Sequence, residues 1–217
     1  MKILALEFSS QQRSVAVLDT DSADQVRLLQ EVVESGPGAT RGLALVDEVL
    51  HGANARREQI ETVVIGLGPG SYTGVRAALA LAQGWQLARP VNLIGISSAR
   101  ALAWQAHAER LRGRAHLVVD AQRGEFYLTL FDISDAGWTE VRPLRLATLS
   151  EIRELEQCGQ LLAGPEVTRW FPSGRILFPR AAGVGAQAIR PNVAVAAEKM
   201  EPIYLRPTAF VKAPQPR

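Results

Sequence analysis

Val63-Val64-Ile65-Gly66-Leu67-Gly68-Pro69-Gly70-Ser71-Tyr72-Thr73-Gly74-Val75-Arg76 is an apolar, β-branched run that stops at a glycine-rich turn and reopens into a long alanine-rich segment. Strand, glycine turn, helix start is an arrangement that presents free N–H groups and the positive end of a helix dipole to one point, which suits an anion. The spacing matches no standard phosphate loop. No lysine lies in the turn, so there is no G-x-x-x-x-G-K-[ST]; Gly68 and Gly70 are followed by Thr73, so there is no G-x-G-x-x-G. Ser71 lacks the glycines of a nucleophile elbow. The turn therefore reads as tight, with exposed amides, and Gly68, Gly70 and Ser71 are candidate anion contacts.

Working outward, Lys2–Leu6 and Ser14–Leu18 read as strands joined by a short polar turn, with Val26–Val33 as a third. Gly36-Pro37-Gly38 breaks the pattern, and Thr40 can cap a helix to about Gly52. Glu61–Leu67 reads as a buried strand, Thr73–Leu87 as a helix and Asn92–Ile96 as a strand. Ser98 caps a helix to about Arg112. The second half offers strands at Ala115–Asp120, Glu125–Phe131 and Val141–Leu146. A helix at Leu149–Gln157, a short strand at Leu161–Ala163 and a short helix at Val167–Phe171 follow. The order β-β-β-α-β-α thus occurs twice, degraded after Gly159, with no repeat in the residues themselves. A duplicated unit of this kind is the plan of the two-lobed actin/hexokinase-like (ASKHA) α/β superfold. Residues 1–112 would form one lobe and 113–206 the other. A proline-containing tail, 207–217, would be disordered.

The chain has 217 residues and a formal charge of +2, so no strong global attraction to nucleic acid follows. From Val141 to Arg217 there are 11 basic and 6 acidic residues, about +5, leaving about −3 elsewhere. No aromatic residues interleave with those arginines as a base-stacking platform needs. One cysteine, Cys158, excludes an internal disulfide and suits a reducing cytoplasm. The N-terminus lacks the pattern of a signal peptide, and no apolar run is long enough to span a bilayer.

His51, His107 and His116 are scattered, with no H-E-x-x-H, and Cys158 has no nearby histidine, so no metal site is expected. No catalytic residues are expected either; a Ser71–His pair would lack a placed acidic partner. Glu7 ends the first strand, either to reach an ion or to cap amides of the Ser9–Gln12 turn. Asp120, Arg123 and Glu125 surround a hairpin turn, with Asp120 either a metal- or phosphate-site carboxylate or half of an Asp–Arg pair holding the turn. The Thr73–Leu87 helix is apolar nearly all round, as for a helix buried on both sides. Small residues Ala77, Ala80 and Gly84 would let a second helix approach. Leu43, Val46 and Leu50 form a stripe on the Thr40–Gly52 helix, widened by Leu45 and Val49, broader than one sheet contact needs. Both helices fit either a core wrapped by this chain or a docking face for a partner.

Gly68-Pro69-Gly70-Ser71-Tyr72-Thr73-Gly74-Val75-Arg76 resembles the signature of the TsaB (YeaZ) family. Ile3-Leu4-Ala5-Leu6-Glu7-Phe8-Ser9-Ser10, Gly95-Ile96-Ser97-Ser98, Val119-Asp120-Ala121-Gln122-Arg123-Gly124-Glu125-Phe126-Tyr127 and Pro202-Ile203-Tyr204-Leu205-Arg206 resemble further family segments in order and spacing. Where family members commonly carry Asp, this chain has Glu7. The resemblance implies the ASKHA fold and a non-catalytic partner of the TsaD transferase, which forms N6-threonylcarbamoyladenosine at position 37 of tRNA. It implies docking to the TsaD paralogue through the two helices, or to a second copy as a homodimer when alone. A TsaE-type ATPase, and tRNA through the complex, are further implied partners. It implies no cofactor of its own, with ATP only at the partner interface, and a cytoplasmic location. Leu45, Val49, Tyr72, Val75, Arg76 and Leu79 are the expected partner contacts. Arg76 sits where the helix dipole disfavours a cation, which an acidic partner group or Glu7 would explain. The alternative function is a self-sufficient small-molecule kinase or ATPase of the same superfold.

Overall fold

The computed structural model describes residues 1–20, 25–36, 41–190, 195–197 and 200–206. The first half holds β1 (Lys2–Glu7), β2 (Gln12–Thr20), β3 (Val26–Ser35), α1 (Gly42–Gly52), β4 (Ile60–Gly66), α2 (Tyr72–Ala88), β5 (Asn92–Ile96) and α3 (Ser98–Ala108). The second holds β6 (Gly113–Asp120), β7 (Glu125–Ser134), β8 (Gly137–Thr148), α4 (Leu149–Gln157), β9 (Leu161–Gly164), β10 (Arg175–Ile176), α5 (Ala181–Gly185) and β11 (Val195–Ala196). Thr40, Pro37, Gly38 and the 207–217 tail, each given a role from sequence, lie outside the described residues.

Two sheets carry the duplication. The first runs β11-β5-β4-β1-β2-β3 and the second β10-β9-β6-β7-β8. In each, three strands form an antiparallel meander: β1 with β2 and β2 with β3, then β6 with β7 and β7 with β8. Two further strands add in parallel on the other side of the first strand of each meander. The repeat is therefore one of topology and direction, which side-chain identity need not preserve.

Strands covered on both faces are apolar throughout. Leu4 and Leu6 of β1 point into a core shared with α1 and α2, including Leu45, Val49, Val75 and Leu79. Ile3 and Ala5 point the other way, to Ala101 of α3 and Ala181 and Val184 of α5. The second sheet packs one face on Leu102, Ala103 and Ala106 of α3, and the other on Ile152 of α4 with Val167 and Phe171. The layers are α1/α2, first sheet, α5/α3, second sheet, α4.

The sequence reading placed 113–206 in the second lobe. The chain from Ala181 instead crosses back: α5 packs on β1 and β2, and β11 pairs with β5. The glycines and alanines of α5 explain how. A Cβ on Gly185 would lie 2.4 Å from Leu18 Cδ1, and one on Gly183 would lie 2.8 Å from Trp104. Only a helix of small residues fits between the first sheet and α3.

Two helix ends differ from the expectation. The α3 helix stops at Ala108, not Arg112, because Arg110 takes a left-handed φ of 59°. Leu111 N–H then donates to Ala106 O (2.9 Å) and Arg110 N–H to His107 O (3.0 Å), a closing pattern usually built on glycine. At its start the capping position is Ser97, while the Ser98 side chain is committed elsewhere. Among the described residues no helix is long and apolar enough to cross a membrane.

Candidate functional site

The glycine turn folds where its sequence places it. Ser71 caps α2, its Oγ accepting from Gly74 N–H at 3.2 Å. Two of the amides expected to face an anion are already used: Gly68 N–H donates to Ser98 Oγ (3.0 Å) and Ser71 N–H to Ser9 O (2.7 Å). The glycines are required by close approach. A Cβ on Gly74 would lie 2.0 Å from Phe8 O, and one on Gly70 would lie 2.1 Å from Ser9 O. The turn is therefore packed onto the β1–β2 connection.

Glu7 explains the rest of that packing. It is fully buried, Oε1 accepting from Ser9 N–H and Oε2 from Ser98 Oγ, both at 2.7 Å. Burial pushes its carboxyl pKa up, and the hydrogen bonds from Ser9 and Ser98 oppose this in part. Gly66 has no side chain because a Cβ there would meet Glu7 Oε2 at 2.0 Å. Glu7 thus caps one amide of its own turn, Ser9 N–H, and ties β1 to α3. It forms no ion pair with Arg76, whose guanidinium instead lies over the Tyr72 ring, 5.5 Å from its centroid. At the second hairpin, Asp120 accepts from Gln122 N–H at 2.7 Å, and Glu125 pairs with Arg206 at 2.7 Å. No Asp120–Arg123 pair is found among the described residues, which corrects the expected turn clamp.

Between the lobes lies a cleft of about 450 Å³, bordered by Ser9, Ser10, Gly70, Ser71, Asp120 and Arg206 among others. The three histidines sit on α1, α3 and β6. Among the described residues no group of His, Cys, Asp or Glu could hold a metal ion. His116 is buried, and burial, then Arg142, lower its pKa.

The two candidate docking helices are open on one side. On α2, Val75, Ala78, Leu79 and Ala82 are buried against the first sheet; Arg76, Ala80, Gln83, Gly84 and Leu87 are exposed. On α1, Leu45, Val46, Val49 and Leu50 are buried, and Leu43 and Ala44 are exposed. Four expected partner contacts, Leu45, Val49, Val75 and Leu79, therefore belong to this chain's own core; the wide stripe on α1 is what the curved first sheet and α2 together cover. Tyr72 and Arg76 are exposed. Leu43, placed by sequence in the α1 stripe but not among the expected contacts, is 66% exposed, and Leu87, also outside that set, is 90% exposed. An apolar groove of about 310 Å³ runs between the helices along Leu43, Leu81, Ala80, Gly84 and Trp85. A Cβ on Gly84 would meet nothing within 4 Å. The arginines at the groove's edge are paired, Arg57 with Asp47 and Arg89 with Glu58. Of the small residues Ala77, Ala80 and Gly84 that gave the signal, Ala80 and Gly84 lie on the open face and Ala77 is half-buried against the core.

The profile of the family described as "TsaD: tRNA N6-adenosine threonylcarbamoyltransferase" matches residues 39–204. The chain belongs to this family. Within it, the resemblance to TsaB (YeaZ) members holds. The chain is 27% identical over 227 residues to the tRNA threonylcarbamoyladenosine biosynthesis protein TsaB of Escherichia coli, covering 95% of each. It is 28% identical over 159 residues to the Bacillus subtilis protein of the same name, covering 71% of this chain and 66% of that one. The structure of YeaZ from Pseudomonas aeruginosa superposes with a TM-score of 0.73 at 23% identity, over 94% of this chain and 99% of that one. The chain thus shares the fold of YeaZ, two duplicated α/β sheet units.

Proposed function

We propose that this chain is the non-catalytic partner subunit that binds and activates a TsaD-type transferase forming N6-threonylcarbamoyladenosine at position 37 of tRNA. The observation that carries this reading is the uncovered apolar face of α1 and α2 in a chain of this family. Leu43 and Leu87 stand exposed beside a groove whose floor is kept shallow by Ala80 and Gly84. An apolar patch of that kind, rimmed by paired charges, marks a protein contact. A helix from the paralogous subunit would lie in the groove, with Tyr72 and Arg76 at its end. Arg76 has no ion pair among the described residues, so a carboxylate on the partner would complete it.

The physical role is a population shift. A subunit that binds only the competent form of the transferase raises the fraction of that form. The cleft supports the same division of labour, since the amides of Gly68 and Ser71 are spent within the chain; a nucleotide would belong to the partner interface. In this reading a TsaE-type ATPase and tRNA meet the chain through the complex, and the same groove closes on a second copy when the partner is absent. The test is threonylcarbamoyl transfer to a tRNA transcript by the TsaD-type paralogue from the same cell. Adding this chain is expected to raise the rate at least about tenfold, as differential binding of about 1.4 kcal/mol would give. An unchanged rate at saturating chain would overturn the reading.

A further inference from the structure

The segment after β11 does something that the docking role leaves unexplained. It crosses the mouth of the interlobe cleft and is fastened at both ends. On the first lobe, Ile203 N–H donates to Leu67 O at 2.8 Å, at the foot of the glycine turn, and the Ile203 side chain packs against the α1/α2 core. On the second lobe, the Arg206 guanidinium donates to Ala121 O (2.9 Å), Gln122 O (2.8 Å) and Glu125 Oε2 (2.7 Å), all around the β6–β7 hairpin. Between these points the Tyr204 ring stands 6.4 Å from that of Tyr72.

The geometry points to Ile203–Arg206 as a latch that sets the opening between the lobes. On the far side of the cleft the lobes are joined by the packing of α3 on α5, which leaves that contact as the hinge. Across the mouth, the Tyr127 hydroxyl of the second lobe hydrogen-bonds the Leu205 backbone within the segment itself, and an exposed hydrogen bond also runs from Gln11 Nε2 to Glu166 Oε1 at 2.6 Å. A single exposed bond of that kind holds little, whereas Arg206 delivers a fork of charge-assisted bonds to two carbonyls and a carboxylate. Arginine suits the place because its donors lie in one plane and reach all three acceptors together; lysine offers one point of charge. Release of Arg206 frees the second lobe to swing about α3 and α5.

The test uses the isolated full-length chain and so does not depend on any partner. Spin labels on Cys158, the sole and exposed cysteine of the second lobe, and on Asn92→Cys, exposed on the first, report the interlobe distance. Arg206→Ala is expected to broaden the distance distribution toward longer values by several Å, with about tenfold faster exchange of the Ile203 amide. Arg206→Lys should fall between this and the native chain. Arg175→Ala, which removes a surface pair with Glu109, should leave both readings unchanged. Native-like distances and exchange in Arg206→Ala would overturn the latch, as would equal opening in Arg175→Ala. If Arg206→Ala does not fold, Glu125→Ala removes one acceptor and is read in the same way.

Discussion

Glu7 is the residue on which the glycine turn is built. Its carboxylate receives Ser9 N–H and Ser98 Oγ, Ser98 Oγ in turn receives Gly68 N–H, and Gly66 makes room for all of them. Its burial raises its pKa above the ordinary value of 4.5, and no cation among the described residues offsets this. The folded chain therefore holds this proton more tightly than the unfolded chain does. The resulting stability is fully present below about 4.5 and is lost as pH rises through the higher folded value. Urea unfolding of the native chain and of Glu7→Gln between pH 4 and 8 reads this directly. The native chain is expected to lose stability relative to the variant as pH rises across that window; a difference independent of pH would contradict it. The sequence left Glu7 between ion binding and turn capping, because a carboxylate after a strand fits both. The choice depends on Ser98, 91 residues away, which no local pattern connects to it.

Among the elements, helix ends were readable where glycine closes them. The end of α4 at Gln157 follows from Gly159, which has φ of 69°, whereas α3 hides its end because an arginine takes the same conformation. Strands β1 to β9 and their order along the chain were readable because their periodicity and turns are local, but the two-residue β10 and β11 and the helix α5 were not. Its five residues carry no amphipathic signal; they are small because two layers meet there. The docking helices show the converse limit. Helical spacing identifies an apolar stripe but not which edge of it a sheet covers, so Leu45 and Val49 looked available and are in fact core. The exposed edge is therefore the place to mutate. Leu43→Glu should leave the melting temperature within about 2 °C, as expected of a surface change, and abolish assembly with the TsaD-type paralogue. Gly84→Ala should stabilise the free chain by about 0.5–1 kcal/mol through helix propensity while weakening assembly, since the added methyl enters the groove. Calorimetry and a binding titration separate the two effects. Unweakened binding by both variants would move the docking face elsewhere.

At the scale of the whole molecule, the fold is a duplicated sheet unit with a cleft between its copies and an uncovered apolar face on α1 and α2 beside it. The second copy is reduced: β10 has two residues, and the chain leaves it to wedge α5 under the first sheet. The lobes are thus interleaved, and the Ile203–Arg206 segment closes the side that α3 and α5 leave open. The α1/α2 face and the latch both reach Tyr72, which stands 6.4 Å from Tyr204, but Leu43 and Arg206 share no partner found among the described residues, so Leu43→Glu and Arg206→Ala should act independently. The central claim, that this chain works as a partner subunit, is tested most directly by light scattering. The measurement compares the chain alone with the chain mixed with the TsaD-type paralogue from the same cell. The account predicts a one-to-one complex that forms at the expense of any self-dimer. Absence of a complex, together with ATP turnover by the isolated chain, would contradict it and favour a self-sufficient kinase of the same fold.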